Sequence, residues 1–297
     1  MPGPDTVRYG GNTACVEVRC GEEIIILDAG TGIRELGKAL ARELGASAGR
    51  LWILITHTHW DHIQGFPFFA PAYLARQSIR ILGWRGSRSG LRRTVAASVE
   101  SPFFPVALPQ MPGAISVQEL RASRFAIGPV DGRAARIHHP GGGVAFRLDT
   151  PAGSIVYAPD HEVVDPDALG RPPSPARPKN GSTGSRRAHD LRDLIRGADI
   201  LIHDAQYTAA EYAERVGWGH SCVDAVVRQA AAANVKHLLL FHHDPDRTDA
   251  QVDAMLNRAR ALGKDLNPLL KIDAAREGLE LRLRTAAYPS RIATAAA

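Results

Sequence analysis

Short runs of consecutive apolar residues punctuate the chain, and between them lie segments whose apolar residues recur every three or four positions. The run Glu23-Ile24-Ile25-Ile26-Leu27 follows an alternating stretch, Ala14-Cys15-Val16-Glu17-Val18-Arg19, with Gly21 between them. That pattern predicts a hairpin whose second strand is buried. Ile33, Leu36, Leu40 and Leu44 then share one face of a helix that Gly45 stops. Leu51-Trp52-Ile53-Leu54-Ile55 completes a strand, helix, strand step, and residues 63–69 read as the start of another helix. Residues 66–133 carry little periodicity beyond a short strand at Ile79-Arg80-Ile81-Leu82 and an apolar loop at Ser101-Pro102-Phe103-Phe104-Pro105. Alternation returns at 144–148 and 154–158, a second hairpin about Pro151-Ala152-Gly153. Asp199-Ile200-Leu201-Ile202-His203-Asp204 is a further strand, and Thr208 with Glu211 forms a capping box. Ser221 caps a helix over 222–233, residues 235–241 form a buried strand, and 249–262 form an amphipathic helix with Gly263 past its end.

Polar chemistry collects where these strands stop. The run to Ile55 ends in Thr56-His57-Thr58-His59-Trp60-Asp61-His62. In extended backbone alternate side chains point the same way, so His57 and His59 are placed to grip one ion. Asp61 and His62 follow as the chain turns and reach a second ion beside the first. Other strand ends carry His138 and His139, Asp160, and His242 and His243. Two divalent ions that keep an open position for water need roughly seven protein ligands of this imidazole and carboxylate type. The strand ends supply that number, with Asp160 as the bridge, and open α/β sheets place their sites at such ends. The residues alone leave His138 against His139, and His242 against His243, undecided. Asp28 is either a helix cap or a proton acceptor behind a ligand histidine. His161, His189, His203 and His237 default to surface or core.

Composition narrows the picture further. At 297 residues the chain is long enough for a real core, and 44% hydrophobic with 23% charged residues is ordinary for a globular protein. Its formal charge of +5, from 36 Lys and Arg against 31 Asp and Glu, favours an anionic substrate but does not argue for nucleic acid. No apolar stretch approaches the ~20 residues of a membrane span and no leader opens the chain, so it reads as cytoplasmic with no membrane partner. Cys15, Cys20 and Cys222 lack zinc-ribbon spacing and read as reduced thiols. Residues 165–188 combine Pro166, Pro172, Pro173, Pro175 and Pro178 with Arg171, Arg177, Lys179, Arg186 and Arg187. That composition predicts a mobile basic insertion, either a cationic lid or a solvated loop. One hydrolase domain over 1–285 accounts for the rest, and residues 286–297, rich in alanine, read as a disordered tail.

The sequence H-x-H-x-D-H after an apolar strand resembles the metallo-β-lactamase superfamily of dinuclear hydrolases. The resemblance implies an α/β sandwich of αββα type, two mixed sheets flanked by helices. Relatives with the segment Arg8-Tyr9-Gly10-Gly11-Asn12-Thr13 usually carry a strand before it. That first strand is missing here, which leaves an edge for a dimer partner or a rearranged terminus to cover. The resemblance selects His139 and His242, giving His57, His59 and His139 to one metal and Asp61, His62 and His242 to the other, bridged by Asp160. It also favours Asp28 as a partner of a ligand histidine.

Gly219-His220-Ser221 alone is no more than a helix start. With Asp224-Ala225 and the run to Phe241 it resembles the phosphodiesterase branch, which includes ribonuclease Z and the phosphoribosyl 1,2-cyclic phosphate phosphodiesterases. There the histidine matching His220 assists at the phosphate and the acid matching Asp204 supports it. Asn12-Thr13 and Gln64-Gly65-Phe66-Pro67 match the cyclic phosphate group better. The implied enzyme is a homodimer with two divalent ions, zinc first, then manganese or iron. It hydrolyses small or cyclic phosphodiesters through a metal-bridging hydroxide, with Asp61 and His220 catalytic. Alternatives are a tRNA 3'-processing endoribonuclease, or an acyl hydrolase acting on lactones, thioesters or β-lactams.

Overall fold

The hairpin predicted at the start forms as β1 (Cys15–Cys20) and β2 (Glu23–Leu27), and α1 (Ile33–Leu44) returns the chain to β3 (Gly49–Ile55), parallel to β2. The computed structural model describes residues 2–45, 47–84, 90–164, 191–284 and 289–296. β4 (Gln77–Gly83), α2 (Leu91–Ala97) and β5 (Ala114–Glu119) extend the same sheet in parallel. The weakly patterned region then yields a hairpin of β6 (Arg124–Ile127) and β7 (Val130–Arg136). These open a second sheet that continues through β8 (Val144–Thr150), β9 (Gly153–Ala158) and β10 (Ile200–Asp204). Helices α3 (Ala209–Ala213) and α4 (Val223–Ala232) lead to β11 (His237–Phe241). Next come α5 (Asp249–Leu266), β12 (Lys271–Ala274), β13 (Glu280–Arg284) and β14 (Pro289–Ala296).

Among the described residues each sheet has seven strands, in the orders β13-β14-β1-β2-β3-β4-β5 and β12-β11-β10-β9-β8-β7-β6. Val16, Val18, Ile25, Leu27 and Leu54 of the first sheet pack with Phe146, Ile155, Tyr157, Ile202 and Phe241 of the second. The intervening residues Ile24, Ile26, Leu51 and Ile53 face Ile33, Leu36 and Leu40 of α1. The opposite face of the second sheet is covered by Val223, Val226, Val252 and Met255 from α4 and α5. Central strands are therefore buried on both sides, which is why they read as unbroken apolar runs. Four layers result, the αββα arrangement expected from the sequence.

Three expectations about element ends need correction. The tail over 286–297 is not wholly disordered: Pro289–Ala296 is the strand β14, antiparallel to both β1 and β13. It lies beside β1, on the edge expected to be left for a dimer partner or a rearranged terminus, so a later segment of the chain covers that edge and β13 becomes the outer strand. Helix α5 runs through Gly263 to Leu266. A Cβ at 263 would lie 2.5 Å from Ile272 Cδ1, so this glycine serves close packing on β12 and does not stop the helix. Helix α4 is capped by Cys222, because the Ser221 hydroxyl is engaged elsewhere, donating to His161 O and accepting from Val163 N. Residues 165–188, expected to form a mobile insertion, lie outside the described residues. Among the described residues no helix is long and apolar enough to cross a membrane.

Candidate metal centre

All seven expected ligands follow strand ends on one rim of the two sheets. After β3 the chain bends at Thr56, passes through extended His59 and then makes one 3-10 turn, Trp60–His62, which delivers Asp61 and His62. The helix expected over 63–69 is instead a pair of short 3-10 turns, Phe66–Phe68 and Ala70–Tyr73, with Pro67 and Pro71 in them. Proline supplies no N–H to propagate an α-helix beyond its first turn. This loop is clamped to the end of β2 by backbone bonds from Ala29 N to His62 O (2.8 Å) and Gly65 N to Ala29 O (2.9 Å). A Cβ at Gly65 would stand 2.0 Å from Gly30 O. We therefore expect Gly65→Ala to lower stability by about 2–3 kcal/mol in urea denaturation, the cost of overpacking against rigid backbone.

Asp160, only 2% exposed, lies at the centre. Its Oδ2 is 3.6 Å from His57 Nε2 and 3.5 Å from His139 Nε2. Its Oδ1 is 3.0 Å from His62 Nε2 and 3.3 Å from His242 Nε2. His59 Nδ1 is 2.9 Å from His139 Nε2, and Asp61 Oδ2 is 3.2 Å from both His62 Nε2 and His242 Nε2. Two groups form, His57, His59, His139 and Asp160, and Asp61, His62, Asp160 and His242, each with its donor atoms within 4.8 Å of one another. One carboxylate thus turns an oxygen to each group. The neighbouring candidates point away: His138 is half exposed, and His243 Nε2 donates to Ala275 O at 3.0 Å. His242 takes a φ of +58°, a left-handed step at the end of β11 of the kind that concentrates at functional sites.

The arrangement fits a divalent cation on its own terms. His57 Nε2, His62 Nε2 and Asp160 Oδ1 are buried with no hydrogen-bond partner. Each such atom costs about 1–3 kcal/mol when nothing pairs with it. Tetrahedral coordination at 2.0–2.1 Å separates ligand atoms by about 3.3 Å, close to pairs such as His59–His139 at 2.9 Å and His57–Asp160 at 3.6 Å, within groups whose donor atoms all lie inside 4.8 Å. Electrostatics point the same way. Burial and the neighbouring imidazoles push the His57 and His139 pKa values down. Burial disfavours charge on Asp160, yet His242 and His62 hold its carboxyl well below the usual range. His242 is raised to about 9, with Asp160 and Asp61 overcoming its burial. Bound cations would replace the positive charge that His62 and His242 otherwise carry beside Asp160.

A model of the beta-lactamase superfamily domain matches residues 23–174, a span that holds every cluster residue except His242. The chain belongs to the beta-lactamase superfamily. Ribonuclease Z of Pseudomonas putida strain GB-1 is 29% identical over 270 residues, covering 80% of this chain and 80% of that protein. The metallo-beta-lactamase fold protein YhfI from Bacillus subtilis superposes with a TM-score of 0.58 at 15% identity, covering 89% of both chains. Human tRNase Z, short form, superposes with a TM-score of 0.58 at 20% identity over 96% of both chains. The fold is the metallo-β-lactamase fold, and this superfamily member is a hydrolase whose fold implies divalent metal ions.

Around the clusters this beta-lactamase superfamily chain builds a supporting layer. Asp28 is no helix cap, since α1 begins after Gly32. Its Oδ2 lies 2.8 Å from His62 Nδ1 and accepts from Tyr157 OH (3.0 Å), and Thr56 N donates to its Oδ1 (2.8 Å). Thr56 and Tyr157 escaped the sequence reading. Thr56 adjoins the motif, whereas Tyr157 sits in an apolar strand far along the chain and carries no local signal. His220 Nδ1 donates to Asp204 Oδ2 at 2.6 Å, and Asp204 Oδ1 also accepts from Ser221 N (3.1 Å). The His220 ring stacks on His242 at 5.0 Å and lies 5.3 Å from His139. Of the remaining histidines, His161 and His203 are buried and His237 pairs with Asp273 at 2.8 Å, while His189 lies outside the described residues.

Proposed function

We propose that this hydrolase is a dinuclear metal-dependent phosphodiesterase acting on small or cyclic phosphodiesters. The observation that carries the reading is the His220–Asp204 pair set against both clusters. His57, His59 and His139 would hold one ion and Asp61, His62 and His242 the other, with the Asp160 carboxylate shared between the two groups and zinc as the first candidate. A pair of divalent ions bound there would supply Lewis acidity, lowering the pKa of water towards neutrality and offsetting phosphoryl charge. Asp61, beside His62 and His242, orients the attacking water and accepts its proton. His220 gives a proton to the departing alkoxide, and Asp204 fixes its ring and supports the imidazolium this requires. Acyl transfer, the chemistry of lactonases and β-lactamases, has less evident use for such a pair.

Relatives named Ribonuclease Z support a second reading in which the diester belongs to RNA. The metal-loaded protein, given bis(p-nitrophenyl) phosphate, a cyclic ribose phosphate, a 3'-extended tRNA and a lactone, separates these cases. Cleavage of the small diesters with the lactone untouched is the expected result. Turnover of the lactone alone overturns the phosphodiesterase reading. A tRNA preferred in kcat/KM, with binding that weakens steeply in salt, installs the RNA reading instead. Chelation is expected to abolish diester turnover and lower the melting temperature, because an ion present at 1,000 times its Kd contributes about 4 kcal/mol.

A further inference from the structure

We infer that Glu162 is a positioning residue that sets His139 and His220 together through the Gly217–Gly219 loop; its kinetic consequence rests on the phosphodiesterase reading. Glu162 follows Asp160 by two residues and is buried. Among the described residues no lysine or arginine pairs with it; His138 Nδ1, half exposed, is 3.7 Å from its Oε2. Three donors satisfy the carboxylate instead. Tyr212 OH (2.8 Å) and Gly217 N (2.7 Å) donate to Oε1, and Gly219 N (3.0 Å) donates to Oε2. A carboxylate so placed makes stronger bonds to backbone N–H groups than a neutral acceptor would.

The peptide units of Gly219 point both ways. While its N–H is held by Glu162, its carbonyl accepts from His139 Nδ1 at 3.0 Å. That bond assigns the proton to Nδ1 and leaves Nε2 free to face the cluster, the orientation a ligand histidine needs. His220 is the next residue, so its backbone is anchored at the same point. Gly219 also has no substitute: its φ is +92° and a Cβ would lie 2.3 Å from His139 Nδ1. Gly217, at φ +90°, adds a second residue of wide conformational freedom. A loop of that composition holds one shape only because something fixes its N–H groups, and Glu162 fixes two of them. The strand end that carries Asp160 therefore also dictates where His139 and His220 sit.

The test is Glu162→Gln, which keeps the shape but turns an amide donor towards a backbone N–H, with Tyr212→Phe as the control that spares both glycine bonds. Nitrogen-15 NMR of the histidine side chains in the zinc-loaded protein, without substrate, reads His139 and His220 directly. E162Q is expected to shift both Nδ1–H resonances, whereas Y212F leaves them in place. Kinetically, E162Q should lose about 10–100-fold in kcat on a diester with an alkoxide leaving group. With p-nitrophenolate, which departs without a proton, the part that passes through His220 vanishes and only the part that passes through His139 remains, so the loss should be smaller. Unmoved resonances in folded E162Q overturn the inference, as does an equal kcat loss on both diesters. If E162Q does not fold, Glu162→Asp serves, which keeps the charge but draws the carboxylate back by one methylene: displacement of both histidine resonances supports the inference and unmoved resonances overturn it. A wild-type protein that cleaves neither diester refutes the phosphodiesterase reading, and the resonances still decide the role of Glu162.

Discussion

Asp61→Ala is expected to reduce turnover of bis(p-nitrophenyl) phosphate by about 10²–10⁴-fold, the range for removing a positioned general base. The side chain is 37% exposed and lies 3.2 Å from both His62 Nε2 and His242 Nε2. Its backbone carries the structural duty, because Asp61 O is the atom that packs against Gly30, and alanine keeps that atom in place. Circular dichroism and the unfolding midpoint should therefore remain near those of the parent. On the proposed assignment, an ion at His57, His59, His139 and Asp160 should stay, while one at His62 and His242 should weaken. Steady-state kinetics with metal analysis reads both effects. Undiminished turnover would remove Asp61 from the mechanism and with it the dinuclear reading.

The candidate ligands were legible because each closes a strand, and strand ends announce themselves as a polar residue after an apolar run. His57, His59, Asp61 and His62 stand together and needed no tertiary information. Asp160 followed from the run that ends at Ala158. Adjacent histidines were harder, because the sequence does not say where a strand stops pointing inward. His242 wins over His243 only after a left-handed step in the backbone, a choice no periodicity records. Tyr157 and Glu162 were invisible for a different reason: each matters through a partner distant in sequence, Asp28 for one and the 217–219 loop for the other.

The layers were equally readable where burial is two-sided. Ile24 to Leu27 and Leu51 to Ile55 have apolar partners on both faces, so their composition is forced. Periodicity failed at the margins. β5 is an edge strand, partly exposed, and β6 alternates too briefly to stand out from loop. β14 is rich in alanine, a poor strand former, and its state is decided by pairing with β1 and β13 and not by its own propensity. Gly263 obeyed a packing demand from Ile272 that outweighs its helix-stopping habit.

His220→Ala offers a sharper discrimination than Asp61→Ala, because its effect depends on the leaving group. The imidazole is 15% exposed, anchored through Nδ1 to the buried Asp204, and stacked on His242, so it faces the site with its other nitrogen. A general acid lowers the barrier only in proportion to the proton the departing oxygen needs. Loss of His220 should therefore cost about 10²–10⁴-fold for an alkoxide such as a ribose hydroxyl, and far less for p-nitrophenolate. Asp204→Asn should reproduce the pattern more mildly, since it leaves the imidazole present but unsupported. Across a series of diesters, the slope of log kcat against leaving-group pKa should become steeper in both variants while the ions remain bound. Parallel lines would mean that His220 merely binds phosphate, and the leaving alkoxide would have to be stabilised by the ions alone.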